Sequence, residues 1–554
     1  MEKLIEKYAL ENAVRHGGKA NPGAIIGSVI QEDPDAKSKV QELQKLVGPI
    51  VKKINSMSPD EQKEALLKLD PSLLEKKKAK EKGLFDSFKT SVKVVTAFPP
   101  EPSKYPHIGH AKALFVNYSY AKENKGKFIL RFEDTNPTLA KKEFYDIILE
   151  NFKWLGVIPD EVDYASNHMD EFYKHAETLI NLGKAYVCFC SQERVSESRM
   201  KSLPCDCRYQ HIKENLIAWE KMPSMPAGKA ILRLKIDLKH RNSTMRDPTI
   251  FRIIKKPHVR LKRKYTVWPN YDFENSVMDG LEGVTHRFRS KEFEMRNALQ
   301  RYIQKLLGFK ETDIFEFARF NLEGVVSSGR VIREMIEKKE LTGWDDPSLT
   351  TIVALRRRGF LPKAIKDFVL NTGINKSEAT LSWGDLIMHN KRILDPECNR
   401  YFFINEPVTV KIRKSPEQKI NLKLHPDFPR RGLRPFRTYM DFYLSKDDYD
   451  DLKENNLFRL MDCLNFIKKE GKFYFDSLEY EKFRFSGTKI IHWLPIQKNL
   501  VSVKILMPDK KVLTGLAEPL VSKLRIGDTI QFERVGFCKL DSKKKGKLVF
   551  WLTH

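Results

Sequence analysis

The sequence predicts a multidomain chain: an α/β unit between a helical N-terminal extension and an all-β C-terminal region. Three observations carry that expectation. With 554 residues the chain is long enough for three or four domains, each with its own core. From Val92 to Glu133 it reads as strand, loop, helix and strand, one βαβ unit of ordinary size. Beyond about residue 400 the apolar residues alternate with polar ones, the period of half-buried strands.

The extension, residues 1–90, has helical spacing at Leu4, Tyr8 and Val14 and again at Leu43, Leu46, Val47 and Val51. Ser58-Pro59-Asp60-Glu61 has the form of an N-cap with proline at the first helical position, opening a helix through Leu69. The run Lys76 to Lys82 is a charge-dense linker, either a solvated helix end or an RNA contact.

The chemistry sits in the βαβ unit. Val92 to Ala97 is a β-branched strand run and Phe98 to Pro106 a proline-rich loop; His107-Ile108-Gly109-His110 then opens a helix to about Asn124, before the strand Phe128 to Glu133. A loop feeding a helix N-terminus presents unpaired N–H groups and the positive end of the helix dipole, so a phosphate belongs there. His107 and His110 lie on one face of the first turn and can donate to phosphate oxygens as negative charge builds. Gly109 leaves room for a nucleotide against the backbone. An isolated H-x-x-H is more often surface or metal-binding, but the strand, loop and helix around this one favour phosphate.

Further on, Pro137 to Leu155 and Met169 to Leu182 read as helices, the second stopped by Gly183. Cys188-Phe189-Cys190 and Cys205-Asp206-Cys207 can supply four thiolates to a tetrahedral zinc, or be four ordinary reduced cysteines. Arg208, Lys213, Arg233, Lys235, Lys239, Arg241 and Arg246 form a basic stretch suited to a phosphate backbone. Arg356-Arg357-Arg358, before Gly359, either complement a helix dipole or touch RNA, the dipole being the safer reading.

Composition agrees with a nucleic-acid partner. Lys and Arg number 99 against 73 Asp and Glu, a net charge of +26, which favours a polyanion through counterion release. No run of about 18 apolar residues appears, and Met1-Glu2-Lys3 leads into an amphipathic pattern, not a signal peptide. Seven cysteines, an odd number, argue against a disulfide framework. A cytoplasmic protein with no membrane partner is expected.

The stretch FPPEPSKYPHIGH, Phe98 to His110, resembles the HIGH signature of class I aminoacyl-tRNA synthetases of the glutamyl/glutaminyl branch. RFEDTNP, Arg131 to Pro137, resembles that branch's second strand motif, and the resemblance, strongest to the archaeal-type glutamyl enzymes, runs through nearly the whole chain. It implies a Rossmann-like catalytic domain in two halves, 91–164 and 263–345, interrupted by an acceptor-end-binding domain at 165–262. It also implies a helical connector at 346–400 and anticodon-binding β-barrels at 401–554. ATP would bind His107, Gly109, His110, Ser327, Ser328 and Arg330, with Mg2+ on its phosphates; His107, His110 and Arg330 would be catalytic. Glu133, Tyr271, Asn275 and Arg289 fall on positions that line the amino-acid pocket, Arg289 favouring glutamate over glutamine. The implied partners are tRNA(Glu), ATP and L-glutamate, and the implied state is a monomer.

Two departures from the family pattern bear on activity. Ala97 stands where the family has an arginine that helps hold the substrate carboxylate, leaving Arg289 more of that task. The second signature, close to K-M-S-K-S, is here Val325-Val326-Ser327-Ser328-Gly329-Arg330; Arg330 keeps the lysine's charge and Gly329 adds mobility. Three alternatives stay open: a glutaminyl enzyme, a glutamyl enzyme that does not discriminate between the two tRNAs, and a non-catalytic tRNA-binding paralogue.

Overall fold

The computed structural model describes residues 1–69, 83–326, 328–544 and 546–554. The charged linker at 76–82 and Ser327 lie outside them. The chain divides into two compact units, Met1–Phe88 and Lys89–His554.

The first unit packs helices α1 (Glu2–Arg15), α2 (Pro22–Glu32), α3 (Val40–Asn55) and α4 (Pro59–Leu69) around Ile5, Leu10, Val29, Val47 and Leu66. Ser58 and Glu61 form the expected cap: the Glu61 N–H donates to Ser58 Oγ at 3.3 Å, and the Ser58 N–H to Glu61 Oε2 at 2.8 Å. Buried Gln62 donates to the carbonyls of Gly18 and Ile54, tying the loop after α1 to the end of α3.

The second unit is built on β1 (Val95–Phe98), α5 (Ile108–Glu123), β2 (Lys127–Phe132), α6 (Lys142–Trp154) and β3 (Glu161–Tyr164). The first strand starts later than expected because its ladder opens at the Val95–Lys127 pair. Helix α5 buries residues on nearly all sides, including Ile108, Ala111, Leu114, Phe115 and Tyr120, as an apolar helix held between layers must.

An insertion follows: α7 (Met169–Asn181), β4 (Ala185–Cys188), α8 (Gln192–Lys201), α9 (Ile212–Lys221), β5 (Ile231–Leu234), β6 (Thr249–Ile253) and β7 (Val267–Pro269). Its sheet, β4-β5-β6-β7, is antiparallel. Because β7 belongs to it, the insertion runs past the expected boundary at residue 262. Its core is continuous with α10 (Tyr271–Glu282) and α11 (Glu294–Leu306) through Phe273, Val277 and Ile303.

The chain then returns to the first sheet with β8 (His286–Ser290) and β9 (Asp313–Phe317). Strand order is β3-β2-β1-β8-β9, all parallel. The order reverses between β1 and β8, so the crevice at their carboxyl ends is where a doubly wound sheet binds its ligand.

Helix α12 (Gly329–Glu337) leads to α13 (Ile352–Arg358), α14 (Pro362–Asn371) and α15 (Trp383–Glu397). The three arginines of α13 occupy its last turn, as the dipole reading expects, and each also has partners beyond the helix. Arg356 pairs with Glu150, Arg357 with Asp345 and Asp541, and buried Arg358 donates to the carbonyls of Pro347 and Thr553. They fasten the connector to the catalytic unit and to the C-terminal strands.

Beyond residue 399 the expected β region forms two seven-stranded sheets. The two ends of one are Arg400–Tyr401 and Phe403–Asn405; those of the other are Gly487–Ile491 and Leu494–Pro495. In each case the end strands are neighbouring pieces of one run of chain, so each sheet closes on itself as a barrel. Tyr401 and Phe403 point into one core, Phe402 and Ile404 into the other. A single extended segment with period-two side chains therefore joins both barrels.

Candidate active site

His107 is not inside the helix but its N-cap. Its Nδ1 accepts from the Gly109 N–H at 3.1 Å, and its own N–H donates to His110 Nδ1 at 3.1 Å. Both Nδ1 atoms are thus acceptors, which fixes the proton of each neutral ring on Nε2. Burial, reinforced by the charge of Lys104, pushes the His107 imidazole down to about 3 and that of His110 well below the usual range. This leaves an Nε2–H on each neutral ring as its side-chain donor, and the ring centres lie 3.9 Å apart. The loop is anchored from outside: the Ile108 N–H donates to Thr350 O, the Ile352 N–H to Pro106 O, and Tyr105 stacks on Trp344 at 5.0 Å. A Cβ on Gly109 would lie 2.8 Å from His107 Cε1, so the glycine makes room first for the imidazole.

A cavity of about 410 Å³ lies beside this turn and is lined by His107, Gly109, His110, Glu133, Tyr271, Arg287 and Arg289, among others. Glu133, just past β2, accepts from Asn275 Nδ2 at 2.6 Å. Asn275 is wholly buried and does not line the cavity; its Oδ1 accepts from Arg287. It orients the acid and the arginine from behind, a different place from the pocket wall that the sequence implies. Behind it, Arg131 donates to Asp279 at 3.1 Å and pairs with Glu282, and Asp279 also accepts from Arg287. Burial outweighs Arg131 and Arg287 and pushes the Glu133 carboxyl up to about 7.

Arg289 is held differently. Its guanidinium donates to Gln300 Oε1 at 2.9 Å and to Asn297 Oδ1, both neutral amides. No carboxylate forms an ion pair with it among the described residues, whereas Asp272 is matched by Arg296 and Glu316 by Lys376. Arg287 went unrecognised in the sequence as a pocket residue. Its signal was there, since residues two apart on a strand share a face and Arg287 and Arg289 both lie on β8. Lys112 was missed as well: it lines the same cavity, donates to Ala318 O at 3.2 Å, and burial takes it down to about 8.

Ala97 is fully buried beside Ile129, Val284 and Val95 and faces the core. A second cavity, about 630 Å³, adjoins the first and is lined by Lys104, His107, Arg319, Ser328, Gly329, Arg330 and Arg333, among others. Arg330 extends into solvent, its side chain 82% exposed and 3.8 Å from Glu334.

The four cysteines of the insertion converge. Their Sγ atoms all lie within 4.8 Å of one another, with Cys188 and Cys205 3.9 Å apart. Zinc–sulfur bonds of 2.3 Å in a tetrahedron require sulfurs about 3.8 Å apart, so this donor set fits the ion. Part of the basic stretch nearby is turned to internal partners. Arg233 is buried and donates to Asp247 O, Arg208 pairs with Asp247, and Arg246 donates to His240 O. These three brace the loops around Asp247; Lys213, Lys239 and Arg241 remain exposed.

A family model described as the catalytic domain of class I tRNA synthetases (E and Q) matches residues 93–396, and two anti-codon binding domain models of the same group match 398–477 and 490–541. The chain belongs to the class I tRNA synthetases of the E and Q type. A glutamate–tRNA ligase of Pyrococcus abyssi is 41% identical over 572 residues, with all of both chains covered. Another, from Methanobrevibacter smithii, is 36% identical over 556 residues, covering 100% of this chain and 99% of that one. A solved glutamate-tRNA synthetase from Elizabethkingia anophelis overlaps at TM-score 0.42 and 19% identity, over 55% of this chain and 71% of that one. For a class I synthetase ATP is a substrate, and the crevice at β1 and β8 is the natural place for it. Among the described residues no helix is long and apolar enough to cross a membrane.

Proposed function

We propose that this synthetase is a glutamate–tRNA ligase, and the observation that carries the choice of amino acid is the neutral setting of Arg289. A guanidinium held by two amides, with no carboxylate in an ion pair with it among the described residues, favours an anion from the ligand. Glutamate's side-chain carboxylate supplies one; glutamine leaves the charge unanswered. The names of the relatives point the same way.

In this reading Glu133 binds the ammonium group and Arg287, beside it, the α-carboxylate. ATP lies over Gly109 with its phosphates reaching towards Ser328 and Arg330, accompanied by Mg2+. The α-carboxylate attacks the α-phosphorus, the bond to the bridging oxygen breaks, and pyrophosphate leaves. The Nε2–H groups of His107 and His110 donate to the phosphate oxygens as charge accumulates. A hydroxyl of the terminal ribose of tRNA then attacks the glutamyl carbonyl and AMP departs. For the tRNA body the C-terminal barrels offer exposed cations such as Lys419 and Lys423, two residues either side of Asn421, while Ile420 and Leu422 turn towards the core. Ala97 does not disable such a site, because it lies outside the cavity and Arg287 stands beside Arg289. Charging of total tRNA with labelled glutamate, and separately with glutamine, tests the proposal; glutamine acceptance, or no charging despite tRNA binding, overturns it.

The pH dependence follows from Glu133. Below its pKa the carboxyl is protonated and cannot pair with an ammonium group. The kcat/KM for glutamate in adenylate formation will therefore be level above about pH 7 and fall tenfold per unit below it. In Glu133→Gln the slope will vanish and the whole curve will lie low. A profile unchanged by that substitution would separate Glu133 from the ammonium group.

The cysteine cluster is assigned a structural zinc, which would bind through Cys188, Cys190, Cys205 and Cys207 and cross-link the end of β4 to the loop before α9. Metal analysis after chelator-free purification will give one zinc per chain, lost in Cys188→Ser/Cys205→Ser with a fall in Tm. A substoichiometric content would refute the site.

A further inference from the structure

We propose that Lys104 is a catalytic residue of adenylate formation, its ammonium group holding the departing pyrophosphate. The inference rests on the glutamate–tRNA ligase reading and assigns a role there to a residue of the loop that leads into the histidine turn.

Three residues line both cavities: Lys104, His107 and Arg319. They form the passage from the chamber that holds Glu133 and Arg289 to the one bordered by α12. A nucleoside triphosphate reacting at its α-phosphorus beside His107 must extend its outer phosphates through that passage. The charges along the way are not equally free. Arg319 is held by Glu292 at 2.8 Å, and Arg330 leans out towards Glu334. Glu378, the acid on the wall of the second cavity, is neutralised by Lys291 at 2.8 Å. Arg333 is turned back onto the first loop, donating to Ser103 O at 3.1 Å. Lys104 has no carboxylate partner among the described residues, and its charge is felt by both His107 and His110.

The second loop is shaped around it. A Cβ on Gly329 would meet Lys104 Cδ at 3.0 Å and Cβ at 3.5 Å. The aliphatic stem of Lys104 therefore lies along the first residue of α12. Gly329, a departure from the K-M-S-K-S pattern, is the space that stem occupies. With Arg330 directed to solvent, a cation from the first loop crosses to the place where a second-loop charge is needed. When the carboxylate oxygen bonds to the α-phosphorus, the electron pair of the breaking P–O bond passes to pyrophosphate, and Lys104 meets that growing charge at short range.

Glutamate-dependent ATP–pyrophosphate exchange on the full-length enzyme in the presence of total tRNA tests this. Lys104→Met will lower the exchange rate about 10²-fold and raise the KM for pyrophosphate. The KM for glutamate in the same assay will be unchanged. Lys104→Arg will restore most of the exchange; Gly329→Val, which keeps the lysine but crowds its stem, will reproduce part of the defect. The Tm of Lys104→Met will match the parent, since this half-exposed side chain makes no ion pair among the described residues. Exchange and pyrophosphate KM equal to the parent's in Lys104→Met would overturn the role of Lys104 while leaving glutamate activation intact. Absence of glutamate-dependent exchange in the parent enzyme with tRNA present would instead overturn the ligase reading on which it rests.

Discussion

Glutamine in place of Arg289 will cut kcat/KM for glutamate by about 10³-fold, the cost of leaving one member of a buried ion pair unanswered, about 4 kcal/mol. The same variant will be at least as stable as the parent. Arg289 is 7% exposed, is hydrogen-bonded to two amides and is in no ion pair among the described residues, and burial pulls its guanidinium below the usual range; buried charges of this kind oppose folding. Opposite signs for activity and Tm separate recognition from scaffold damage. Arg289→Lys will fall between, because an ammonium group keeps the charge but cannot bridge Gln300, Asn297 and a carboxylate with one planar fork. The ratio of glutamine to glutamate activation will rise in Arg289→Gln through loss of glutamate alone. Unaltered glutamate kinetics would transfer the reading of the side chain to Arg287, two residues earlier on the same strand.

What the sequence made legible are features written in consecutive residues. The βαβ unit, the histidine turn, the paired C-x-C motifs and the switch to period two each sit in a short window, and the fold built from them is the one observed. What it hid depends on where a side chain points once distant segments meet. Arg233 reads as a surface cation until β5 is seen inside the insertion's sheet, where its Nε–H donates to the carbonyl of Asp247. The three arginines of α13 look alike in sequence; in space one meets Glu150, one two aspartates, and one the backbone of Thr553. Asn275 sits among pocket residues along the chain, yet a helix turns it inward behind Glu133. The interleaving of the barrels is invisible for a related reason. Residues 400–405 look like one strand, but alternate side chains enter different cores. Ala97 shows the converse: read as a missing pocket arginine, it lies among Ile129 and Val284 instead.

His107 carries two duties that the sequence merges, and two substitutions will part them. As N-cap its Nδ1 satisfies the Gly109 N–H; as donor its Nε2–H is free to face a phosphate. Alanine removes both and will cost about 1 kcal/mol of stability for the lost cap, together with a drop in adenylate formation of about 10²-fold to 10³-fold for the lost donor. Asparagine can accept the same backbone N–H through its side-chain oxygen, so His107→Asn will keep the parent's Tm, but its shorter amide cannot reach as far and the rate will still fall. Because burial holds His107 at about 3, that ring gains no proton between pH 5 and 8. Both variants will therefore lower the pH–rate curve without changing its shape, and the single limb near pH 7 will remain that of Glu133. A parent-like rate in His107→Asn would mean that capping is all this histidine does. In that case His110, whose Nδ1 is held by the His107 backbone whatever side chain stands there, would be the sole imidazole donor to the phosphate.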